Sequence, residues 1–205
     1  MIPPPYGVWG LTPAEAKRLP GHGDPAKNLA QARSIMSSLG YGPSNLLNVT
    51  VSTRALDIYV DSAGLVVSQL KNVYMDPALE QIETASWFPK VARRDFQLGV
   101  NFTAGVVDDP DAVLFENFAC GSERNYSDYC DERVQQLFVA QSAESDPAKR
   151  LALVHEIDTK LQVDVARPIL ANKLEFFATW PYVKNLIAHQ SVYNHWRFQE
   201  VWLDK

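Results

Sequence analysis

The chain has 205 residues, of which 46% are hydrophobic and 21% charged, and its formal net charge at pH 7 is −5. This length suffices for one large domain or two small ones, and the composition is typical of a globular protein with a substantial core. The negative charge, without any run of lysines and arginines, argues against a nucleic-acid or anionic-membrane partner.

The first half of the sequence alternates between helical and extended patterns. Residues 1–23 are predicted to be a loop rich in proline and glycine. Asp24 and Pro25 then supply the N-cap and the first residue of a helix that Gly40 ends. The elements predicted after it are a strand at 46–53, a helix at 61–74, a strand at 78–84, a short helix at 87–96 and a strand at 96–104. This alternation predicts an α/β layer built from crossover units.

The second half is predicted to be helical first and strand-rich at its end. Pro110 is suited to open a short helix, a second helix is expected near 131–143, and Asp146 with Pro147 starts a third. From Pro168 onward the aromatic and β-branched content predicts strands.

Helical periodicity also predicts which side chains share one face of each long helix. In the first, Leu29, Ala32, Met36 and Leu39 fall on one face with Ile35 beside them, and in the second a broad buried side is predicted from Leu65, Val66, Val67, Leu70 and Val73. The positions that hold the helical period in the two later helices are Val134, Leu137, Phe138 and Gln141, and then Arg150, Leu151, Val154, Ile157, Leu161 and Val165.

Three aspartates, Asp108, Asp109 and Asp111, follow a predicted strand and precede a predicted helix. Ligands of α/β sheets bind outside the carboxyl ends of strands, so this position suits a ligand carboxylate. Helix capping is the alternative, because Asp109 before Pro110 suits an N-cap and Asp111 in the first turn complements the helix dipole. A metal would need further oxygen ligands or a histidine, and none is adjacent. A catalytic pair would need a nucleophile or a phosphate cradle, and the pattern offers neither.

The two cysteines, Cys120 and Cys130, lie ten positions apart. This spacing suits a local disulfide across a turn, which would indicate an oxidising compartment. Two unpaired, half-buried thiols are the alternative, and the spacing alone does not decide between them.

Aromatic residues are plentiful, with 5 Trp, 8 Tyr and 9 Phe. Trp87, Phe88, Phe102, Tyr126 and Tyr129 either belong to the core or line a ligand cleft.

Three segments, in order, resemble the C-terminal part of the family 5 extracellular solute-binding proteins, which are the peptide- and nickel-type binding proteins of ABC importers. DPAKNLAQARSIMSSLGY is similar to that family's Asp-Pro helix ending in Gly-Tyr. NYSDYCDERVQQL is similar to its Asn-x-Ser segment with Tyr or Trp before Cys, and SDPAKRLALVHEIDTKLQVDVARPIL to its Asp-x-x-x-Arg helix leading into a proline-containing strand. The resemblance covers nearly the whole chain.

The resemblance implies the second lobe of a type II periplasmic-binding-protein-like fold, an α/β fold with a mixed sheet flanked by helices and a strand-rich C-terminal tail. Residues 24–180 would form the lobe after the loop at 1–23, and residues 181–205 would return as a C-terminal strand segment. The N-terminal MIPPPYGVWG lacks the basic and apolar segments of a signal peptide. A signal peptide and an N-terminal lobe are therefore expected upstream, and the location is expected to be periplasmic.

The resemblance also implies a site and its partners. Asp109 would bind the α-ammonium of a peptide-like or other cationic ligand through a charge-assisted hydrogen bond. The expected walls of the cleft are Phe102, Thr103, Gly105, Asp108, Asn125 and Tyr126. Cys120 and Cys130 would form a disulfide. No metal and no cofactor are expected, and the partners would be the ligand, the missing lobe and an ABC permease in the membrane.

Two other functions remain open at this stage. A hydrolase could use Asp108 and Asp109 as acid and base, although no His, Ser or Cys nucleophile arrangement supports an enzyme. A stand-alone interaction or sensory module of the same fold would dock to another protein without binding a solute.

Overall fold

A computed structural model of the chain describes Ile2 and residues 9–103, 109–172, 178–187 and 198–205. The chain divides into two compact units. We call Lys17–Thr103 the sheet unit, and Met1–Ala16 together with Ala104–Lys205 the helical unit. The boundary between them lies inside the lobe predicted for residues 24–180.

The sheet unit alternates helices and strands, as the sequence predicts. Its elements are α2 (Pro25–Ser38), β1 (Leu47–Arg54), α3 (Asp57–Leu70), a 3-10 turn (Lys71–Val73), β2 (Met75–Ile82), α4 (Thr84–Ala92) and β3 (Leu98–Val100). β1 is the central strand and runs parallel to both neighbours, with Val51 opposite Leu79 of β2 and Leu98 of β3. Because parallel neighbours need crossover connections, α3 and α4 lie between consecutive strands. The prediction of an α/β fold is confirmed.

Helix α2 begins as its sequence predicts but does not bury its whole apolar face. The Asp24 carboxylate accepts the backbone N–H groups of Ala26 at 2.8 Å and Lys27 at 3.1 Å. Met36 is buried, whereas Leu39 of the same predicted face and Ile35 beside it are exposed. The helix packs against the turn Lys71–Val73 rather than across the sheet, which covers only part of its surface.

Helix α3 covers one face of the sheet. Ala63 is fully buried with Val51 and Val100, and the side chains packed against this cluster are Val66, Val67 and Leu70. Positions 63, 66, 67 and 70 make the i, i+3, i+4, i+7 stripe of a helix. Leu65 lies outside this stripe and is exposed, so its predicted burial is wrong.

The helical unit is built around α6 and α7. Its elements are α1 (Pro13–Ala16), a π-helical turn (Asp111–Phe115) that continues into α5 (Glu116–Phe118), α6 (Glu132–Ala143), α7 (Pro147–Val163), β4 (Val183–Lys184) and β5 (Trp202–Leu203). α6 buries the four side chains predicted from its periodicity, Val134, Leu137, Phe138 and Gln141. α7 packs Val154, Ile157 and Leu161 into the same core.

Two predictions for the end of the chain are only partly met. The helical pattern was expected to extend to Val165, but α7 ends at Val163 and Val165 is exposed with a φ of 55°. In the described residues after Pro168, strand structure is limited to the antiparallel pair β4 and β5. The remaining candidate strand positions, 173–177 and 188–197, lie outside the described residues. No helix in the described part of the chain has the length and apolarity needed to cross a membrane.

The core of the helical unit gives a direct test of the packing. Leu161→Ala removes a side chain that is fully buried. We expect it to lower the free energy of unfolding by about 2–5 kcal/mol, because it leaves a cavity in addition to losing apolar burial. Val139→Ala, an exposed position on α6, is the control and should change stability by no more than about 0.5 kcal/mol. Urea unfolding measures both, and equal effects would contradict the described core.

Candidate functional site

Asp109 stands at the entrance to the π-helical turn, where it both caps the turn and forms an ion pair. Its Oδ1 accepts the backbone N–H of Asp111 at 2.9 Å. Arg150 of α7 donates from Nη1 to Asp109 Oδ2 at 3.1 Å and from Nη2 to Oδ1 at 3.0 Å. The geometry therefore supports the capping interpretation and adds a two-pronged ion pair to it.

Arg150 is the centre of a wider polar network in the helical unit. Its Nε donates to Gln141 Oε1 at 3.1 Å, and its guanidinium lies 4.8 Å from the centre of the Trp9 ring. Asp111 accepts hydrogen bonds from the Ser142 hydroxyl at 2.7 and 2.8 Å and from the Gln141 amide. The network ties the π-helical turn to α6 and α7. Because the network contains two carboxylates and one guanidinium, it carries one net negative charge.

Asn125 and Tyr126 lie together in the loop that the disulfide closes. Cys120 and Cys130 are joined, as the family resemblance implied. Asn125 is buried, and its amide nitrogen donates to the carbonyl oxygens of Ala119 at 3.1 Å and Tyr129 at 2.7 Å. Both amide hydrogens of Asn125 thus hold the loop, while the Tyr126 side chain is half-buried.

The other predicted wall residues are divided between the two units and the undescribed segment. Phe102 and Thr103 belong to the sheet unit, whereas Asp109, Asn125 and Tyr126 belong to the helical unit. Gly105 and Asp108 lie outside the described residues. In the described part of the chain, no group of three or more His, Cys, Asp or Glu side chains could hold a metal ion.

A second cluster of polar and aromatic side chains lies at the carboxyl end of β1, around an arginine that the sequence analysis did not single out. Arg54 ends this strand, and its guanidinium lies 4.7 Å from the ring centre of Tyr59 and 5.4 Å from that of Phe88. Its Nη1 donates to the Tyr59 hydroxyl at 2.8 Å, and its Nε and Nη2 donate to Thr84 Oγ1 at 3.3 and 3.1 Å. Phe102 packs on Tyr59 with ring centres 4.8 Å apart.

The polar partners of Arg54 are neutral. Both are hydroxyl groups, and none of the ion pairs among the described residues involves Arg54. Phe88 and Phe102 were named in the sequence analysis as possible cleft residues. Phe88, beside Arg54, is 46% exposed, and Phe102, packed on Tyr59, is 40% exposed. A lone arginine directly after a predicted strand was the signal that could have revealed this cluster, because strand ends are where α/β proteins bind ligands.

Comparison with solved structures shows the family of folds to which this architecture belongs. OppA of Haemophilus influenzae in complex with RPPGFSPFR is 19% identical with a TM-score of 0.71, over 88% of this chain and 35% of that one. DppA of Helicobacter pylori, an ABC transporter-associated periplasmic binding protein in complex with the peptide STSA, is 17% identical with a TM-score of 0.67, over 86% and 34%. NikA of Staphylococcus aureus in complex with Ni(L-His)2 is 16% identical with a TM-score of 0.61, over 68% and 30%.

These neighbours are family 5 solute-binding proteins and not enzymes, so the sequence resemblance is confirmed at the level of the fold. The chain spans about a third of the length of the solved structures it matches. No family model matches the sequence, and no curated protein matches it.

An acidic cluster beside the disulfide loop has shifted pKa values. Lys160 of α7 donates to Asp164 at 2.7 Å and pairs with Asp131 at 3.0 Å. The backbone N–H of Val134 and the Lys160 ammonium lower the pKa of Asp131. Lys160, followed by the Tyr129 hydroxyl, lowers the pKa of Asp164. These contacts join the loop to both long helices and give this region a structural role.

This acidic cluster makes the stability of the helical unit depend on pH. Because folding lowers the pKa of Asp131 and Asp164, their contribution is present above the unfolded value of about 3.9 and is lost as the pH falls through the folded values. Lys160→Met should reduce stability at pH 6 and flatten its decline between about pH 5 and pH 3. Lys149→Met, on the same helix, is the control. Urea unfolding measures the stability of each variant across this pH range. The account would be contradicted if the stability of both variants declined with falling pH as steeply as that of the unmodified protein.

Proposed function

We propose that the chain is part of the substrate-binding component of an ABC importer and captures a peptide-like or other cationic solute in the periplasm. The observation that carries the proposal is the fold, which superposes over 88% of the chain on a solute-binding protein in complex with a peptide. The disulfide between Cys120 and Cys130 supports the location, because such bonds persist in oxidising compartments such as the periplasm.

The proposed partners follow from the length of the neighbours. Since the chain spans about a third of each, we propose that an N-terminal lobe and a signal peptide complete the protein and that a membrane permease receives the solute. Residues 24–180 would supply one wall of the cleft, and residues 181–205 would return along it. Hinge closure of two lobes around the solute is how such proteins capture their ligands.

Asp109 is the residue we propose for the cationic group of the solute. Its side chain is 37% exposed and that of Asp111 is 42% exposed, so solvent reaches both carboxylates. Arg150 already donates to both oxygens of Asp109. A ligand ammonium must therefore share the carboxylate with Arg150 or displace it, and the net negative charge of the network favours its approach. The other proposed wall residues are Phe102, Thr103, Gly105, Asp108, Asn125 and Tyr126.

The test compares two variants that remove equivalent structural contacts. Asp109→Asn weakens a cap and an ion pair, and the control Asp131→Asn does the same at the start of α6. The probes are the tripeptide Ala-Ala-Ala and its N-acetylated form. Each is titrated into the chain, and binding is measured by nuclear magnetic resonance. We expect Asp109→Asn to weaken tripeptide binding about tenfold or more, because a charge-assisted hydrogen bond contributes about 1.5–3 kcal/mol.

The acetylated peptide should bind the unmodified chain more weakly than the free peptide, since it lacks the ammonium. Asp131→Asn should bind the free peptide like the unmodified chain. Equal binding of both peptides, or equal binding by Asp109→Asn and the unmodified chain, would contradict the assignment of Asp109.

A further inference from the structure

We infer that Arg150 controls access to Asp109 by exchanging one carboxylate partner for another, which makes it a specificity-determining residue of the proposed cation site. In the structure its guanidinium pairs with Asp109. When a cationic group of the solute binds Asp109, the guanidinium turns to Asp111 and stays neutralised. The inference rests on the proposed function for the identity of the ligand, whereas the exchange itself depends only on side chains of the helical unit.

The first argument is the number of acceptor positions that Asp109 has left. A carboxylate offers about four lone-pair positions. Oδ1 of Asp109 accepts the backbone N–H of Asp111 and one Nη2–H of Arg150, and Oδ2 accepts one Nη1–H of Arg150. One position therefore stays open, on Oδ2. An ammonium carries three N–H groups, and it gains a second bond to Asp109 only where Arg150 gives one up.

The second argument is the nearness of another carboxylate. Nη2 of Arg150 lies 3.0 Å from Asp109 Oδ1 and 3.9 Å from Asp111 Oδ2. A shift of about 1 Å is enough to bring the second distance into the hydrogen-bonding range. Among the described residues, Asp111 Oδ2 accepts the Ser142 hydroxyl, which it shares with Oδ1. Oδ2 of Asp111 therefore has room for an N–H group of the guanidinium.

The third argument is that the guanidinium has a fixed point and spare donors. Nε of Arg150 donates to Gln141 Oε1 at 3.1 Å, and the Trp9 ring centre lies 4.8 Å from the guanidinium carbon. Neither contact involves Asp109, so both persist while the Nη groups change partner. Of the five N–H groups, one on each Nη has no partner in the part of the chain that the structure describes.

The fourth argument is charge. Asp109, Asp111 and Arg150 together carry one net negative charge, which one monocation balances. The Arg150 side chain is only 19% exposed, so leaving it without an anionic partner would cost free energy. Pairing with Asp111 avoids this cost when a cation takes its place at Asp109. A neutral group offers no such exchange, because it cannot compensate for the lost pair of Arg150 with Asp109.

The sign of one substitution separates this role from a structural one. Arg150→Gln removes the competing guanidinium, and we expect it to tighten binding of Ala-Ala-Ala about tenfold. A purely structural role predicts weaker binding, because Asp109 then loses its support. Lys149→Gln removes the same charge from the neighbouring position of α7 and should leave binding within about twofold. Nuclear magnetic resonance titration measures the binding of each variant.

A second variant keeps this test decisive where Arg150→Gln unfolds, which urea unfolding checks. Arg150→Lys keeps the positive charge but cannot hold both oxygens of a carboxylate in a two-pronged manner. It should therefore tighten binding of Ala-Ala-Ala by a smaller factor than Arg150→Gln. Weaker binding by Arg150→Lys than by the unmodified chain would overturn the inference.

Asp111 is tested by a double-mutant cycle. Asp111→Asn removes the alternative partner, so Arg150 stays on Asp109 and Ala-Ala-Ala should bind about fivefold more weakly. The same substitution in an Arg150→Gln chain should have little effect, because Asp111 acts on the ligand through Arg150. Equal effects in both chains would show direct attraction by Asp111 and overturn the exchange. Glu132→Gln, an exposed carboxylate in the first turn of α6, is the control and should not change binding.

The exchange can also be measured without any peptide. Asp109→Asn neutralises the first partner, so we expect Arg150 to pair with Asp111 in the free chain. The carboxylate carbon resonance of Asp111 should then shift, and the same substitution in an Arg150→Gln chain should not shift it. An unchanged resonance, or a shift that persists without Arg150, would overturn the inference.

These results distinguish failure of the inference from failure of the proposed function. Equal binding of Ala-Ala-Ala and its N-acetylated form would overturn Asp109 as the ligand site, while the peptide-free measurement would still decide whether Arg150 exchanges partners. Selective binding of the free peptide together with weaker binding by Arg150→Gln would leave Asp109 in place and overturn the role of Arg150.

Discussion

The parallel pairing of β1 with both of its neighbours is the constraint on which the architecture of the sheet unit depends. Parallel strands cannot be joined by tight turns, so α3 and α4 must connect their ends across the sheet. The three carboxyl ends are thereby brought to one edge, and each contributes a side chain there: Arg54, Thr84 and Phe102. Burial of Val51, Ala63 and Val100 fixes the sheet against α3 and with it the position of this edge.

In the helical unit, by contrast, an irregular loop is held against two long helices. The disulfide closes the loop, Asn125 holds it from within, and Arg150 fixes the π-helical turn that precedes it. The Asp109 carboxylate is part of this support as well as the proposed point of contact for a cation. Ligand binding at Asp109 would consequently be coupled to the anchoring of the turn.

Local signals in the sequence predicted most of the helices and strands, but they did not predict the contacts between these elements. The starts of α2 and α7 followed from an aspartate before a proline, and the buried face of α6 followed from periodicity. The exposure of Ile35 was not foreseen, because it depends on what α2 packs against. The pair of Asp109 with Arg150 is 41 positions apart, and no local pattern encodes it. Phe88 was singled out as an aromatic residue, but the Arg54 guanidinium that lies 5.4 Å from its ring centre was not.

The central claim is the proposal that Asp109 receives the cationic group of a solute. The most direct measurement is a map of backbone amide chemical shifts in the full 205-residue chain as the tripeptide Ala-Ala-Ala is titrated. The account predicts that the shifts concentrate at Asp109, at the π-helical turn Asp111–Phe115 and around Arg150. Shifts confined to other surfaces, such as the groove beside His155 and Lys160, or no shifts at saturating peptide, would contradict it.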